Sequence, residues 1–250
     1  MCGKAANYNL RWSEVYGYAS ALTPPAALPP DPPNRLNISP SRLRRKSEPD
    51  SMVWETLPVI YPAERVDAPA EAIWPFLPAY AEGRLPTNKQ GRLISTANAR
   101  LRHEGAPFAP TFMGAWSAGL RVLVIVSWFY EFDSRVRPQV PYAVFPTDAP
   151  FWLMAGLARR TALPDGSPRL TVAVITVDPN AVLQSVGHHR SPAILRDGGE
   201  AHTWLRGGKT QALELLRPFD NETMGVEAVP MGIKIPGNEN VELPQVLLGA

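Results

Sequence analysis

Runs of apolar residues from position 121 onward predict a set of buried strands. The strongest run, RVLVIVSWFYEF (Arg121 to Phe132), is rich in β-branched and aromatic residues and predicts one continuous strand that is buried on both faces. PYAVF near Tyr142 and FWLMAGLA near Leu153 predict two more strands. LTVAVITV (Leu170 to Val177) is again fully apolar and predicts a fourth.

Helical signals are few and short. The segment APAEAIWPFLPAYAEG (Ala68 to Gly83) predicts one or two helical turns that are broken by Pro75 and Pro78. DPNAVLQSV, directly after the last of those strands, opens with an Asp cap and a Pro at an early helical position, which predicts a short helix. TWLRG and TQALELLRP predict final helical turns, and MGVEAVPMGI predicts a closing edge strand.

Proline shapes the connections between these elements. The chain has 28 prolines, about twice the average usage of roughly 5%. The segment TPPAALPPDPPNR (Thr23 to Arg35) predicts an extended loop, because proline removes a backbone donor and restricts the residue before it. After this loop comes a basic cluster that is either a solvated loop or a site for phosphates: Arg42, Arg44, Arg45 and Lys46.

The pattern favours an α+β fold. Strands cluster with short, separated helices and show no regular βαβ alternation, which is typical of a largely antiparallel, barrel-like β-sheet with short peripheral helices and long Pro-rich loops. With 250 residues, of which 45% are hydrophobic, we expect a single domain over residues 1–250. Residues 23–66 are expected to be an extended, partly irregular region of that domain.

Composition narrows the class of protein. A single cysteine excludes a disulfide framework and a Cys-rich zinc site, so we expect a cytoplasmic monomer without metal or cofactor. No apolar run is long enough to span a bilayer, and the N-terminus lacks the apolar region of a signal peptide. The net charge of +2 leaves any nucleic-acid surface to local clusters of basic residues.

The single cysteine, Cys2, lies in the opening stretch MCGKAANYN. Removal of Met1 leaves a 1,2-aminothiol, whose thiol has a reference pKa of about 8.5 and whose α-amine has one of about 8. Such a group suits two reactions: attack on an acyl carbon with the amine as base, or condensation with an aldehyde to form a thiazolidine ring. The alternative is an incidental cysteine at a frayed terminus.

Glu131 is out of place in the strongest apolar run. A carboxylate between Tyr130 and Phe132 is expected to be at least partly buried, where it can shuttle protons. The alternative is an edge carboxylate that pairs with Arg135 or Arg137.

Two further polar positions stand out. His188 and His189 lie in SVGHHRSPAIL, a donor-rich turn that can deliver an imidazole into a cleft, although loop histidines are often surface residues. Asn98 lies between two alanines in STANARLRH, where an amide is either a functional group or the cap of a turn or helix.

Taken in order, several short blocks of the chain resemble the SOS response-associated peptidase (SRAP) family of abasic-site-processing proteins. Each block is weak alone, but together they span nearly the whole chain. They are MCGK at the start, RLNISP (35–40), WPFLPAY (74–80), NAR (98–100), FYEF (129–132), MAGLA (154–158) and HHRSP (188–192).

The resemblance implies a covalent reaction with abasic sites in single-stranded DNA. By motif, Cys2 would be the nucleophile that forms a thiazolidine with the ring-opened aldehyde, and Asn98 would orient its amine and the sugar. Glu131 would move protons, and His188 would act as acid and base beside it. The same four residues would serve the peptidase-like removal of Met1, and His188 is chosen over His189 because it alone fits the H-x-R-x-P spacing.

The resemblance also implies a set of DNA-binding residues. They supply phosphate contacts, an aromatic platform and part of the R-L-N-I-S-P block, and they are Lys4, Asn37, Pro40, Trp74, Tyr80, Arg100 and Arg190. Departures from the family pattern include Lys4 where arginine is common and Phe132 where tryptophan is usual. These departures bear on DNA affinity and the shape of the pocket more than on the chemistry.

Two other functions stay open from the sequence. Glutamine amidotransferase domains, which are N-terminal nucleophile amidohydrolases, also begin Met-Cys-Gly, but the Asn-Gly dipeptide that their binding motifs need is absent from the chain. A noncatalytic single-stranded-DNA-binding module, in which Cys2 is incidental, is the second alternative.

Overall fold

Strands make up most of the regular structure. The computed structural model describes residues 3–43 and 52–248, with the backbone alone for Leu43. The strands are β1 (Lys4–Asn7), β2 (Arg35–Ile38), β3 (Arg42–Leu43), β4 (Met52–Val53), β5 (Glu55–Pro62), β6 (Asp67–Trp74), β7 (Asn98–Arg100), β8 (Arg121–Val126), β9 (Trp128–Phe132), β10 (Pro141–Pro146), β11 (Trp152–Ala162), β12 (Pro168–Val177), β13 (Ser191–Pro192), β14 (Ile194–Leu195) and β15 (Met224–Ala228). The α-helices are α1 (Trp12–Tyr18), α2 (Pro110–Ser117), α3 (Ala181–Ser185), α4 (Gly198–Arg206), α5 (Lys209–Glu214) and α6 (Gln245–Leu248), and short 3-10 helices cover Ala79–Ala81 and Met231–Lys234.

A closed barrel lies at the centre of the fold. Strands β12, β6, β5, β8 and β11 follow one another around it, and β11 pairs with β12 to close the ring. Every pairing in the ring is antiparallel except that of β6 with β12, where Ile73 lies opposite Thr171. The predicted α+β fold on a largely antiparallel, barrel-like sheet is therefore confirmed.

A second sheet packs beside the barrel. Its strand order is β15-β10-β9-β1-β2, and all of its pairings are antiparallel. The predicted closing strand, β15, lies at one edge of this sheet. Strand β1 lies next to β9, with Lys4 opposite Tyr130, so the start of the chain lies beside the strand that carries Glu131.

The prediction of one continuous strand from Arg121 to Phe132 is wrong. The chain breaks at Ser127, whose N–H donates to the carbonyl of Ala6 at 2.9 Å and whose Oγ accepts from the N–H of Tyr8 at 2.9 Å. Strand β8 belongs to the barrel and β9 to the second sheet. Both strands are buried, and for that reason the apolar pattern carries no sign of the crossing.

The helical prediction for Ala68 to Gly83 is also wrong over its first half. Residues Asp67–Trp74 form β6, which pairs with β5 along its whole length. Sheet pairing overrides the local signal here, and only Ala79–Ala81 form a 3-10 turn. The helix after β12 is present, but its cap is Asn180, whose side chain accepts from the N–H of Leu183, and not the preceding aspartate.

Other predicted elements are confirmed. Strands β10, β11 and β12 and helices α4 and α5 lie where the apolar pattern places them. No helix or strand occurs between α1 and β2, in agreement with the extended Pro-rich loop. Of the basic cluster, Arg44, Arg45 and Lys46 lie outside the described residues.

Two buried clusters lie on opposite faces of the barrel wall. Leu123 and Ile125 of β8 join a cluster that includes α1, α2 and α4. Val122 and Val124 join a cluster that includes residues of β1, β9 and β10. The alternate side chains of β8 thus bury both faces of the strand, as its apolar run predicts. Among the described residues, no helix is long and apolar enough to cross a membrane.

A buried carboxylate fastens α4 to the turn between β5 and β6. Asp67 is fully buried, and its carboxylate accepts from Arg206 Nε at 2.8 Å and from the N–H of Thr23 at 2.9 Å. Arg206 also donates to the carbonyls of Ala63 and Val66, at 3.0 and 2.8 Å. This ion pair therefore joins the last residue of α4 to the first residue of β6.

We expect Arg206→Ala to lower the free energy of unfolding by about 3 kcal/mol, because it leaves the charge of Asp67 buried without its cation. The control Arg11→Ala removes an exposed ion pair with Glu14 at 3.8 Å and should cost about 0.5 kcal/mol or less. Urea unfolding of both variants measures the difference. Equal, small decreases would show that Asp67 does not depend on Arg206.

Candidate active site at the junction of the two sheets

A carboxylate and an imidazole meet where the second sheet joins the barrel. Glu131, near the end of β9, is 1% exposed, and its Oε2 lies 2.8 Å from Nε2 of His188. The other ring nitrogen of His188, Nδ1, lies 2.9 Å from the carbonyl oxygen of Arg190. Both ring nitrogens of His188 therefore face oxygen atoms.

This geometry fixes the number of protons at the pair. A carbonyl oxygen only accepts, so Nδ1 of His188 carries a hydrogen. The short contact between Nε2 and Oε2 then needs one further proton, which belongs either to the imidazole or to the carboxyl of Glu131. A carboxyl group and an imidazole in direct contact are the kinds of group that general acid and base catalysis uses.

The loop before His188 is held by a second ion pair. Asp133 accepts from Nε and Nη2 of Arg135 at 2.9 and 2.7 Å, and these hydrogen bonds lower the pKa of Asp133. Arg135 also donates to the carbonyl of Ser185, at the end of α3. Gly187 passes directly over Asp133 with a φ of +71°, and a Cβ there would lie 2.2 Å from Asp133 Oδ1. Only glycine fits this approach, which sets the direction in which His188 leaves the loop.

His189 lies on the outside of the same turn. Its ring stacks on that of His188, with centroids 5.3 Å apart, but it is exposed. Desolvation and the neighbouring charge of His188 lower the pKa of His189. His188 is thus the histidine that faces Glu131.

Asn98 opens the short strand β7, which pairs in parallel with β12. Asn98 lies opposite Val174, and the carbonyl of Ala97 accepts from the N–H of Val174 at 3.0 Å. The same carbonyl accepts from the indole Nε1 of Trp74 at 2.9 Å. Trp74 is fully buried, and its hydrogen bond to Ala97 fixes the segment that leads into Asn98.

Two arginines lie at the end of β12. Arg100 is exposed and pairs with Thr176, whose carbonyl accepts from Nη2 of the buried Arg190 at 2.6 Å. Arg190 Nη1 also binds Asp178 at 3.1 Å, and among the described residues its Nε has no hydrogen-bond partner. Burial, together with repulsion from Arg100, lowers the pKa of Arg190. Two guanidinium groups whose charges repel each other favour an anion beside them.

Lys4 is buried next to two neutral acceptors. Its Nζ donates to Asn37 Oδ1 at 2.9 Å and to Ser39 Oγ at 2.7 Å. Asn37 is fully buried, and its amide nitrogen donates to the carbonyls of Ile233, Ile235 and Asn238. Asn37 therefore links β1 to the C-terminal segment of the chain.

A group of charges surrounds this lysine. The carboxylate of Glu55 binds Arg35 at 2.7 Å and Arg42 at 3.4 Å. Desolvation and repulsion from Arg42 lower the pKa of Lys4 from 10.5 to about 8, although Glu55 opposes the shift. Lys4 therefore titrates in the range of pH where a protein is ordinarily assayed.

The remaining predicted residues fall into three groups. Tyr80 is 59% exposed and Pro40 is partly exposed, so both are accessible to a ligand. Trp74 and Asn37 lie in the core, where their side chains support the site from behind. Cys2 lies outside the described residues, and Gly3, to which it is bonded, leads directly into β1.

The sequence reasoning missed several supporting residues. Ser39, Glu55, Asp133 and Thr176 are all buried and all lie against a residue of the site. Ser39 alone had a signal, because it lies two positions after Asn37 in the same block and so faces the same side of an extended chain. No group of three or more His, Cys, Asp or Glu residues suited to a metal ion occurs in the described part of the chain.

Comparisons with known proteins find relatives of this chain. The family model described as SOS response associated peptidase (SRAP) matches residues 1–235. Abasic site processing protein YoqW of Bacillus subtilis is 27% identical over 175 residues, which are 68% of this chain and 73% of that protein. Abasic site processing protein HMCES of Gallus gallus is 29% identical over 171 residues, covering 59% of this chain and 49% of that protein.

Solved structures show the same fold. A protein from Bordetella bronchiseptica covers 92% of this chain and 100% of its own, with a TM-score of 0.68 at 20% identity. A protein from Bacteroides thetaiotaomicron covers 77% of this chain and 80% of its own, with a TM-score of 0.59 at 22% identity.

We expect Gly187→Ala to lower the free energy of unfolding by about 2 kcal/mol or more, because it adds a clash with Asp133 to the strain of a positive φ. The control is Gly105→Ala, with a φ of +70° and no atom within 4 Å of the added Cβ. That variant should be destabilised by about 1 kcal/mol through strain alone. Urea unfolding compares them, and equal decreases would mean that the turn before His188 yields easily.

Proposed function

The chain belongs to the SOS response-associated peptidase family, and on that premise we propose that it processes abasic sites in single-stranded DNA by crosslinking to them through Cys2. The observation that carries the proposal is the buried pair of Glu131 and His188. The names of YoqW and HMCES as abasic site processing proteins support the same lesion as substrate. The crosslink would cover a reactive aldehyde until the damaged strand is repaired.

The reaction joins three groups and releases one water. After Met1 is removed, the α-amine of Cys2 attacks the C1′ aldehyde of the ring-opened sugar and a C–N bond forms. The aldehyde oxygen leaves as water, with both hydrogens supplied by the amine, and an imine remains. The thiol of Cys2 then adds across the imine, so that sulfur bonds to carbon and the proton moves to nitrogen. The product is a thiazolidine, and no oxidant or reductant is consumed.

Each step of this reaction needs a proton to be moved, and the pair of Glu131 and His188 is suited to that task. It holds one mobile proton between Oε2 and Nε2, while the carbonyl of Arg190 keeps the imidazole in a fixed orientation. The pair can accept a proton as the amine attacks and return it to the departing oxygen.

Asn98 would orient the amine and the sugar. An amide supplies both a donor and an acceptor, which suits a group that changes from amine to imine during the reaction. The same residues would assist the hydrolysis of the bond between Met1 and Cys2, a peptidase-like step that exposes the aminothiol.

DNA binding would depend on the arginines beside this site. Arg100 and Arg190 form a paired cationic edge that suits a phosphate next to the lesion, and Lys4 adds a charge close to the start of β1. Tyr80 offers an exposed aromatic face. Phosphate contacts with an aromatic face give sequence-tolerant binding to single strands.

The first test mixes the Met1-trimmed protein with a single-stranded oligonucleotide that carries one abasic site. We expect a band on a denaturing gel that Cys2→Ala and an uncleaved N-terminal tag both abolish. Glu131→Gln should slow the appearance of the band by about a hundredfold or more, because it removes the mobile proton. Glu64→Gln, an exposed carboxylate on the turn between β5 and β6, serves as the matched control and should react like the wild type.

A wild-type protein that lacks Met1 and gives no band would contradict the proposal. Release of ammonia from glutamine would then point to an amidohydrolase. Unchanged DNA affinity in Cys2→Ala without any adduct would point to a noncatalytic DNA-binding module.

The lowered pKa of Lys4 leads to a prediction about the pH dependence of DNA binding. Its ammonium is charged below a pKa of about 8 and neutral above it. We therefore expect affinity for undamaged single-stranded DNA to fall between pH 7 and pH 9, and to fall less in Lys4→Arg, whose guanidinium stays charged. Fluorescence anisotropy at constant ionic strength measures this, and identical pH profiles for the two proteins would remove Lys4 from the interface.

A further inference from the structure

A large groove lies along one edge of the barrel. We call it the hairpin groove; it has a volume of about 1160 Å³ and lies between residues 80–93 and the turn that joins β11 to β12. Trp54 lines it, one residue before the buried Glu55 of the Lys4 charge cluster. Pockets for small molecules have about 300–1000 Å³, so this groove suits an extended ligand.

The outer wall of the groove is an ordered hairpin. Thr87 pairs with Leu93, the N–H of Ile94 donates to the carbonyl of Pro86 at 2.8 Å, and the N–H of Asn88 donates to the carbonyl of Arg92 at 2.8 Å. Asn88 Oδ1 accepts from the N–H groups of Gln90 and Arg92. The wall is therefore held in shape by its own hydrogen bonds.

The base of this wall is fixed to the barrel. Gly83 has a φ of +78°, and a Cβ there would lie 2.2 Å from the carbonyl oxygen of Ala162. Leu85 and Trp54 pack on a small apolar cluster that contains Leu163. The floor of the groove is thus apolar and close-packed, and the groove is a feature of the folded chain.

Two arginine side chains in the groove have no partner in the described part of the chain. Arg84 and Arg92 are exposed, and among residues 3–43 and 52–248 neither guanidinium makes an ion pair or a hydrogen bond. The one acidic residue in the lining, Asp165, accepts from Ser167 instead. The groove therefore presents unneutralised positive charge.

Aromatic and apolar side chains line the same groove. Tyr80 and Leu93 are 59% and 50% exposed, and Trp54 is partly exposed. Flat apolar surface flanked by unpaired guanidinium groups matches a ligand with stacked rings and a repeating negative charge. An apolar peptide would leave the two arginines unsatisfied, and an acidic peptide would leave the aromatic face bare.

We propose that the hairpin groove binds the unpaired nucleotides that flank the lesion, with Arg84 and Arg92 on their phosphates and Trp54 and Tyr80 against their bases. This inference rests on the proposed function for the identity of the DNA, and it extends the interface well beyond the reacting sugar. It assigns Arg84 and Arg92 to binding and leaves the chemistry to the site at the sheet junction.

The experiment measures the affinity of Arg84→Ala/Arg92→Ala for undamaged single-stranded oligonucleotides of increasing length at several salt concentrations. Wild-type affinity should rise with length, and the double variant should bind long oligonucleotides about tenfold or more weakly and the shortest almost normally. Its plot of log affinity against log salt should be shallower by about 0.7 for each phosphate that it no longer binds. Arg65→Ala, an exposed arginine on the turn between β5 and β6, is the matched control and should match the wild type.

A second measurement separates this inference from the proposed function. At saturating DNA, the double variant should still form the Cys2-dependent crosslink at the wild-type rate, since neither arginine belongs to the reacting site. Affinity for long oligonucleotides that is unchanged in the double variant, or equally weakened in Arg65→Ala, would overturn the groove as a DNA site. Absence of the crosslink in the wild type, with the length effect retained, would instead overturn the covalent mechanism and leave the groove standing.

Discussion

The candidate active site depends on the buried contact between Glu131 and His188. A hydrogen bond is stronger where water does not compete, and this contact is buried because Glu131 lies near the end of β9, whose residues up to Glu131 are buried. Burial in turn requires the second sheet to lie against the barrel. The crossing at Ser127, which passes the chain from one sheet to the other, brings the carboxylate to that junction.

Much of this could be read from the sequence because the signals were local. The apolar runs indicated three strands of the barrel, β8, β11 and β12, and a carboxylate inside such a run marked Glu131 as unusual. The H-x-R-x-P spacing in HHRSP selected His188 and not His189. The break at Ser127 could not be read, since both strands that it separates are equally apolar, and periodicity carries no information about which sheet a buried strand joins. The strand Asp67–Trp74 was missed because its partner, β5, lies in the region 23–66 that was expected to be extended and partly irregular, so no strand was predicted for it to pair with.

The supporting residues were hidden for a related reason. Asn37 and Trp74 belong to blocks that suggest DNA contact, yet their side chains hold the site from within the core. A motif gives the identity of a residue and not the direction of its side chain. The hairpin groove is lined by residues from three separate segments of the chain, and none of these segments has an apolar pattern that predicts a binding site. Such a surface becomes visible only when the segments are brought together by the fold.

The hydrogen bonds of Asn37 give the end of the chain an unexpected importance. The family model ends at residue 235, but the amide of Asn37 also binds the carbonyl of Asn238, and Glu239 binds Arg35 and the N–H of Leu36. Residues near the end of the chain are thus hydrogen-bonded to β2, the strand that pairs with β1 beside Lys4. A shortened version cut at the family boundary would keep every motif of the site and lack these contacts around Lys4, so the folded structure depends on residues beyond the match to the family model.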